Sequence, residues 1–202
     1  MAILWGPLRL LIALNNVLLR AGRNIAWMCL AAMVLAILGQ VFFRYVLGNA
    51  LSWSEELARF LMLWMTGLIA PSGYRWGGFV AIDMVPRALP RVPGIVLNLV
   101  ILLLALMVLV TGMILGYGEI TGFGGRFASP SLAVPFNITF WPFEITFEWT
   151  KMAKKYMFAS LWICCILMTL VNIELILRNL VSLIDPDREI PDDPHMIAAG
   201  AD

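Results

Sequence analysis

Four long runs of apolar residues constrain this chain more than any other feature of its sequence. They cover residues 25–43, 53–74, 92–116 and 156–177. Because a helix rises about 1.5 Å per residue, a hydrocarbon core of about 30 Å requires roughly 20 apolar residues, and each run meets that length. Backbone polar groups in lipid must be hydrogen-bonded within the protein, which favours helices over open strands. The runs therefore predict an all-α, polytopic membrane protein with four transmembrane helices.

The composition excludes several other classes of protein. Hydrophobic residues make up 61% of the chain and charged residues 13%, against roughly 45–50% and 25% in soluble proteins. A formal net charge of +1 offers no basic surface, so no nucleic-acid partner is expected. Intramembrane enzymes need a nucleophile–base pair or converging metal ligands, and the single histidine, His195, lies in the C-terminal tail. We therefore predict no enzymatic activity, no cofactor and no metal site.

The two ends of the chain differ from its middle. Residues 8–19 form an apolar run that is too short to span a membrane and contains Arg9. It predicts either an amphipathic helix at the interface or an extension of the first span. Residues 183–202 are acidic and proline-rich, so we expect a disordered cytoplasmic tail after a single domain over residues 1–182. More Lys and Arg residues lie on the side of the termini than opposite, which places both termini in the cytoplasm.

The segment that joins the first two runs has a dense group of charged residues. Gly48 begins a turn signal between the runs. Ser52 followed by Glu55 fits a capping box, and Glu55 and Glu56 would oppose the positive end of the helix dipole. Glu55 and Arg59 are four residues apart, in the order that favours an ion pair. A stable helix start at the membrane surface therefore explains much of this segment without a functional role.

An ordered set of residues runs through this segment and beyond it. Its members are Arg44, Tyr45, Trp53, Glu55, Glu56, Arg59, Trp64, Arg75 and Asp83. A Ser-Pro-Ser-Leu-Ala-Val-Pro motif follows at residues 129–135. Together they resemble the small membrane subunit of TRAP transporters, the tripartite ATP-independent periplasmic transporters. The chain departs from that family at Phe79, where the family has histidine, and its segment 136–155 is longer than is usual there.

The resemblance implies a function as well as a fold. In that family the small subunit is a scaffold that pairs with a large, elevator-type transmembrane subunit, and a periplasmic binding protein delivers an organic acid. An ion gradient drives import across the bacterial inner membrane. The resemblance thus implies that the large subunit, the binding protein and the lipid bilayer are partners, and that the ordered residues contribute to the subunit interface. The alternative is a stand-alone small transporter or channel that acts as a homo-oligomer.

Two further regions of the sequence are candidates for function. The segment before the fourth run contains many aromatic residues, including Phe140 and Trp141. They are typical of an interfacial belt, or they form a docking surface for the binding protein. In the second case its lysines would steer the encounter. These lysines are Lys151, Lys154 and Lys155.

The fourth run carries two polar residues near its end. An acid within a span, here Glu174, is a functional candidate by default. Arg178 follows four residues later, so we expect an ion pair at the cytoplasmic interface instead. Asn172 is expected to hydrogen-bond to a neighbouring helix.

Overall fold

The computed structural model describes residues 2–48, 51–76, 91–122, 127–134, 137–140, 143–146 and 150–184. Within these residues the chain forms four helices, α1 Ala2–Tyr45, α2 Ser52–Arg75, α3 Arg91–Thr121 and α4 Lys155–Ile184. Four short strands lie between α3 and α4: β1 Ala128–Val134, β2 Asn137–Phe140, β3 Phe143–Thr146 and β4 Thr150–Ala153. Each of the four predicted runs lies entirely within one of these helices. The prediction of an all-α membrane protein is confirmed.

Three of the helices in the described part of the chain are long and apolar enough to cross a membrane. The segments concerned are Leu8–Tyr45, Pro93–Thr121 and Lys155–Val181. Helix α2 has 24 residues, which gives it a length of about 36 Å. It is less apolar than the other three because its first two turns contain Glu55, Glu56 and Arg59. Four transmembrane spans thus stay a prediction.

Helix α1 is longer than the sequence predicted. It continues without interruption for 44 residues, or about 66 Å, which is more than twice the thickness of a hydrocarbon core. The apolar run at residues 8–19 is therefore an extension of the first predicted span. Leu8, Asn15, Leu19 and Ala26 are buried at intervals that place them on one side of the helix. This side packs against the rest of the chain.

The helices pack in the order α1, α2, α4, α3. Extensive contacts join α1 to α2, α2 to α4 and α4 to α3, and α1 makes a smaller contact with α4. Among the described residues α3 makes no comparable contact with α1 or α2. At the crossing of α2 and α4, a Cβ on Gly67 would lie 2.9 Å from the backbone oxygen of Ser160. Only glycine allows this close approach, and the Ser160 Oγ donates a hydrogen bond of 2.7 Å to the Leu63 carbonyl oxygen.

The strands form two antiparallel pairs, β1 with β4 and β2 with β3. The β2–β3 hairpin is nested between β1 and β4 along the chain. The Lys154 N–H donates a hydrogen bond of 2.9 Å to the Phe127 carbonyl oxygen, which extends the β1–β4 pairing toward α4. Pro130, Pro135 and Pro142 disfavour a continuous helix in this segment, but strands were not predicted from the sequence.

Candidate functional site

The start of α2 corrects one prediction. The helix begins at Ser52, Leu51 occupies the N-cap position, and no side chain caps the helix there. The predicted capping box of Ser52 and Glu55 is therefore wrong, because Ser52 is already inside the helix. Glu55 instead pairs with Arg59 across one turn, as predicted, and both side chains are exposed. An exposed pair of this kind contributes about 0.3–0.5 kcal/mol.

Glu56 has a different role from its neighbour because it holds strand β1. Its Oε2 accepts hydrogen bonds from the backbone N–H groups of Ser131 and Leu132, both at 2.9 Å, and from the Ser131 Oγ at 2.6 Å. The buried Ser129 Oγ also accepts a hydrogen bond of 3.1 Å from the Leu132 N–H. Hydrogen bonds to a charged group contribute about 1.5–3 kcal/mol each. Two motifs that are 75 residues apart are thus joined, and strand β1 is fixed to the first turn of α2.

A second polar cluster joins α1, α2 and α4 around Glu174. This carboxylate is fully buried, and it accepts a hydrogen bond of 2.7 Å from the Asn15 Nδ2. The Arg75 Nη2 and the Arg178 Nη2 each lie 2.8 Å from its Oε1. Arg75 also donates a hydrogen bond to the Asn16 Oδ1. The predicted pair of Glu174 and Arg178 is confirmed, and Arg75 and Asn15 complete the group.

The cluster lies in the last turn of the predicted span at residues 156–177. Glu174 comes 19 residues after Lys155, which corresponds to about 29 Å along the helix. If Lys155 marks one edge of the hydrocarbon core, Glu174 is at the other edge. Two residues earlier on α4, the Asn172 Nδ2 donates a hydrogen bond of 2.8 Å to the Tyr74 hydroxyl oxygen, which confirms the predicted interhelical bond.

The remaining motif residues are dispersed along α1 and α2. The Arg44 guanidinium lies 5.9 Å from the ring centroid of Tyr45. Trp53 is exposed at the start of α2, and Trp64 is half-buried farther along the same helix. Two other predicted residues lie outside the described residues: Asp83 and Trp141. Among the ordered residues, the structure therefore brings Glu56 and Arg75 into polar contacts between elements.

Of the predicted docking residues, the three lysines lie on β4 or directly after it. Lys151 is exposed on β4, and Lys154 is exposed in the turn that follows. The Lys155 Nζ lies 5.1 Å from the ring centroid of Tyr156 at the start of α4. Phe140 is the last residue of β2. The lysines therefore lie on β4 and in the residues that follow it, up to the start of α4.

Several members of these clusters were not predicted from the sequence. Asn15, Asn16 and Tyr74 were not singled out, although each is a polar residue in a mostly apolar segment. Because lipid does not satisfy such groups, their presence was a signal that they face another helix. The partners themselves were not predictable, since Asn15 and Glu174 are 159 residues apart.

Comparison with known proteins agrees with the earlier resemblance. The model of a protein family, "Tripartite ATP-independent periplasmic transporters, DctQ component", matches residues 33–182. The comparison with curated proteins found no match. The matched region contains most of the 202-residue chain, including Glu56, Ser131, Arg75 and Glu174. The family is one of transporter components and not of enzymes. The chain belongs to the DctQ family of TRAP transporter components.

Proposed function

We propose that this chain is the small scaffold subunit of a TRAP secondary transporter in a bacterial inner membrane, with both termini in the cytoplasm. It pairs with the large elevator subunit, which moves an organic acid that a periplasmic binding protein delivers. An ion gradient drives the import. The observation that carries this proposal is the match to the transporter-component family over residues 33–182.

The cluster around Glu174 supports a fixed scaffold over a moving carrier. Its carboxylate is 0% exposed, and it is bound by groups from α1, α2 and α4. Opening a water-filled path between these helices would separate Glu174 from Arg75. If α1, α2 and α4 keep fixed positions relative to one another, Glu174 and Arg75 stay paired.

The outer faces of the helix row support a role in a larger assembly. Leu35 and Leu38 on α1 are exposed, as are Met107, Val108 and Ile114 on α3. A soluble protein rarely exposes contiguous apolar patches of more than a few hundred Å². Lipid and the large subunit together would cover these faces.

Co-purification tests the pairing. The untagged chain is expressed with a tagged large subunit, and the complex is solubilised in a mild detergent and captured through the tag. We expect the untagged chain to be retained, and we expect a tagged, unrelated membrane protein of similar size to retain none. If the chain inserts into the membrane but passes through the column, the scaffold proposal is contradicted.

We further propose that the β1–β4 pair helps to receive the binding protein. Glu56 fixes β1 on α2, so the strand pair presents its cations from a stable base. The cations are Lys151, Lys154 and Lys155. Charges at the rim of an interface mainly raise the association rate, and salt screens them over about 8–10 Å.

Charge reversal of the three lysines to glutamate tests this docking surface. We expect slower uptake at limiting binding protein, a smaller effect at high salt, and an intact membrane complex. Replacement of all three by glutamine should give an intermediate rate, because it removes attraction without adding repulsion. Equal uptake by the wild-type chain and the reversed variant at every concentration of binding protein would exclude this docking surface.

A further inference from the structure

Two arginines on α1 lie close to the polar cluster around Glu174 without belonging to it. Arg20 is exposed and Arg23 is half-buried, and they are three residues apart, so their side chains are neighbours on the helix surface. Among the residues that the structure describes, neither arginine forms an ion pair with an acid. Like charges at neighbouring positions destabilise a helix. An anion that contacts both guanidinium groups would therefore stabilise this part of α1.

The contacts of α1 determine the level at which these arginines lie. The Asn15 Nδ2 donates a hydrogen bond to Glu174, so these two residues share one level, close to the edge of the hydrocarbon core. Helix α1 continues from there into the bundle, where Gly22 packs against α2. Arg20 and Arg23 follow Asn15 by five and eight residues, or about 7.5 and 12 Å along the helix axis. Their backbone thus lies on the hydrocarbon side of the cluster.

The side chain of Arg23 extends back from this depth. Its guanidinium carbon lies 5.1 Å from the centroid of the Trp76 ring, and Trp76 directly follows Arg75, a member of the cluster. Helical side chains tilt toward the N-terminus of their helix, which on α1 is the direction of the cluster. Long basic side chains reach the membrane surface in this way. Trp76 is itself exposed, and tryptophan is enriched at the interface.

The surroundings of Arg20 indicate which anion can reach it. Val17 lies three residues before Arg20 and Trp27 seven residues after it, which places both near the same side of α1, and both are exposed. An apolar surface of this kind contacts lipid rather than water. A charged side chain on such a surface is costly unless it finds a partner, and arginine binds phosphate through paired hydrogen bonds. A phospholipid carries its phosphate to this level, whereas a soluble anion would have to leave water.

We propose that Arg20, Arg23 and Trp76 bind the headgroup of an anionic phospholipid such as phosphatidylglycerol. The phosphate lies between the two guanidinium groups, and the acyl chains follow the exposed apolar residues of α1. The lipid neutralises charge that Glu174 does not, because that carboxylate is already shared by Arg75 and Arg178. A carboxylate of the large subunit is the competing partner of the two arginines.

Lipid binding by the isolated chain tests the proposal. The full chain is purified in a mild detergent, phosphatidylglycerol is titrated in, and native mass spectrometry counts the bound lipid. Phosphatidylcholine with the same acyl chains is the lipid control. Arg20 and Arg23 are replaced together, either by glutamine or by lysine. The matched control is Arg59→Gln, since Arg59 is an exposed arginine that Glu55 already neutralises.

We expect the double glutamine variant to bind phosphatidylglycerol about 30-fold more weakly than the wild-type chain, because each basic residue near an anionic membrane surface contributes about fivefold. Arg59→Gln should bind like the wild-type chain. The double lysine variant should lie in between, since it keeps the charges and loses the paired hydrogen bonds. All four proteins should bind phosphatidylcholine weakly and alike. Circular dichroism checks that the variants keep the helix content of the wild-type chain.

Three results would overturn the proposal. The first is equal affinity of the wild-type chain and the double glutamine variant for phosphatidylglycerol. The second is an equal loss of affinity in Arg59→Gln, because that result indicates a general effect of charge. The third is displacement of the lipid by inorganic phosphate, which assigns the two arginines to a soluble anion. The measurement uses neither the large subunit nor transport, so its failure is distinguishable from failure of the proposed function.

Discussion

Glu174→Gln removes the negative charge that Arg75 and Arg178 share, and it preserves the size of the side chain. The two arginine side chains are only 5% and 17% exposed, so water cannot replace the lost counterion fully. Removing one partner of a buried pair costs about 3–5 kcal/mol. We expect the free energy of unfolding to fall by about 3 kcal/mol or more, because two buried cations lose the same partner.

Two further variants make this expectation specific. Arg178→Gln leaves Glu174 paired with Arg75, so the cluster goes from a net charge of +1 to neutral, and the loss should be smaller. Glu119→Gln changes an exposed acid on α3, where surface substitutions usually stay within about 0.5 kcal/mol. The expected order of destabilisation is Glu174→Gln, then Arg178→Gln, then Glu119→Gln.

Reversible unfolding in mixed detergent micelles measures these differences. The wild-type chain and the three variants are titrated with dodecyl sulfate at constant total detergent, and helix content is followed by circular dichroism. If Glu174→Gln unfolds at the same detergent fraction as Glu119→Gln, the cluster does not stabilise the fold as argued.

Two other matched pairs follow from the geometry. Gly67→Ala should lower the free energy of unfolding because its Cβ would lie 2.9 Å from the Ser160 backbone oxygen. Gly73→Ala, whose Cβ would have no atom within 4 Å, should raise the free energy of unfolding by up to about 1 kcal/mol. The same detergent titration measures both variants, and equal shifts would contradict the close packing at Gly67. Glu56→Gln should weaken the attachment of β1 by about 1.5–3 kcal/mol and speed proteolysis within residues 128–153. Glu55→Gln should leave that cleavage rate unchanged, and equal cleavage rates in the two variants would exclude Glu56 as the anchor.

Local sequence patterns predicted the helices well and their ends less well. The prediction of residues 156–177 for the fourth span falls inside α4, which extends over Lys155–Ile184. The length of an apolar run predicts where a transmembrane helix lies, but it does not predict how far that helix continues beyond the hydrocarbon core. Helix α1 begins far before the predicted span at residues 25–43, and it passes through Gly22, which is buried where α1 packs against α2 near Leu68.

The contacts that organise the candidate sites depend on distant parts of the chain. The acids at the start of α2 were visible in the sequence, but nothing local distinguished Glu56, which binds β1, from the exposed Glu55. In contrast, the β2–β3 hairpin had a local signal that was missed. Apolar and polar residues alternate through residues 137–140 and 143–146, which is the period of a strand. The segment was instead interpreted as an interfacial belt or a docking surface because of its aromatic residues.

Solute uptake into proteoliposomes distinguishes a scaffold subunit from a stand-alone transporter. Vesicles with an inward sodium gradient contain this chain alone, the large subunit alone, or both, and each receives a labelled organic acid with the binding protein. We expect uptake above the empty-vesicle background only when the large subunit is present, with the full rate requiring both subunits. Uptake of comparable rate by this chain alone would contradict the scaffold function and would favour a stand-alone transporter.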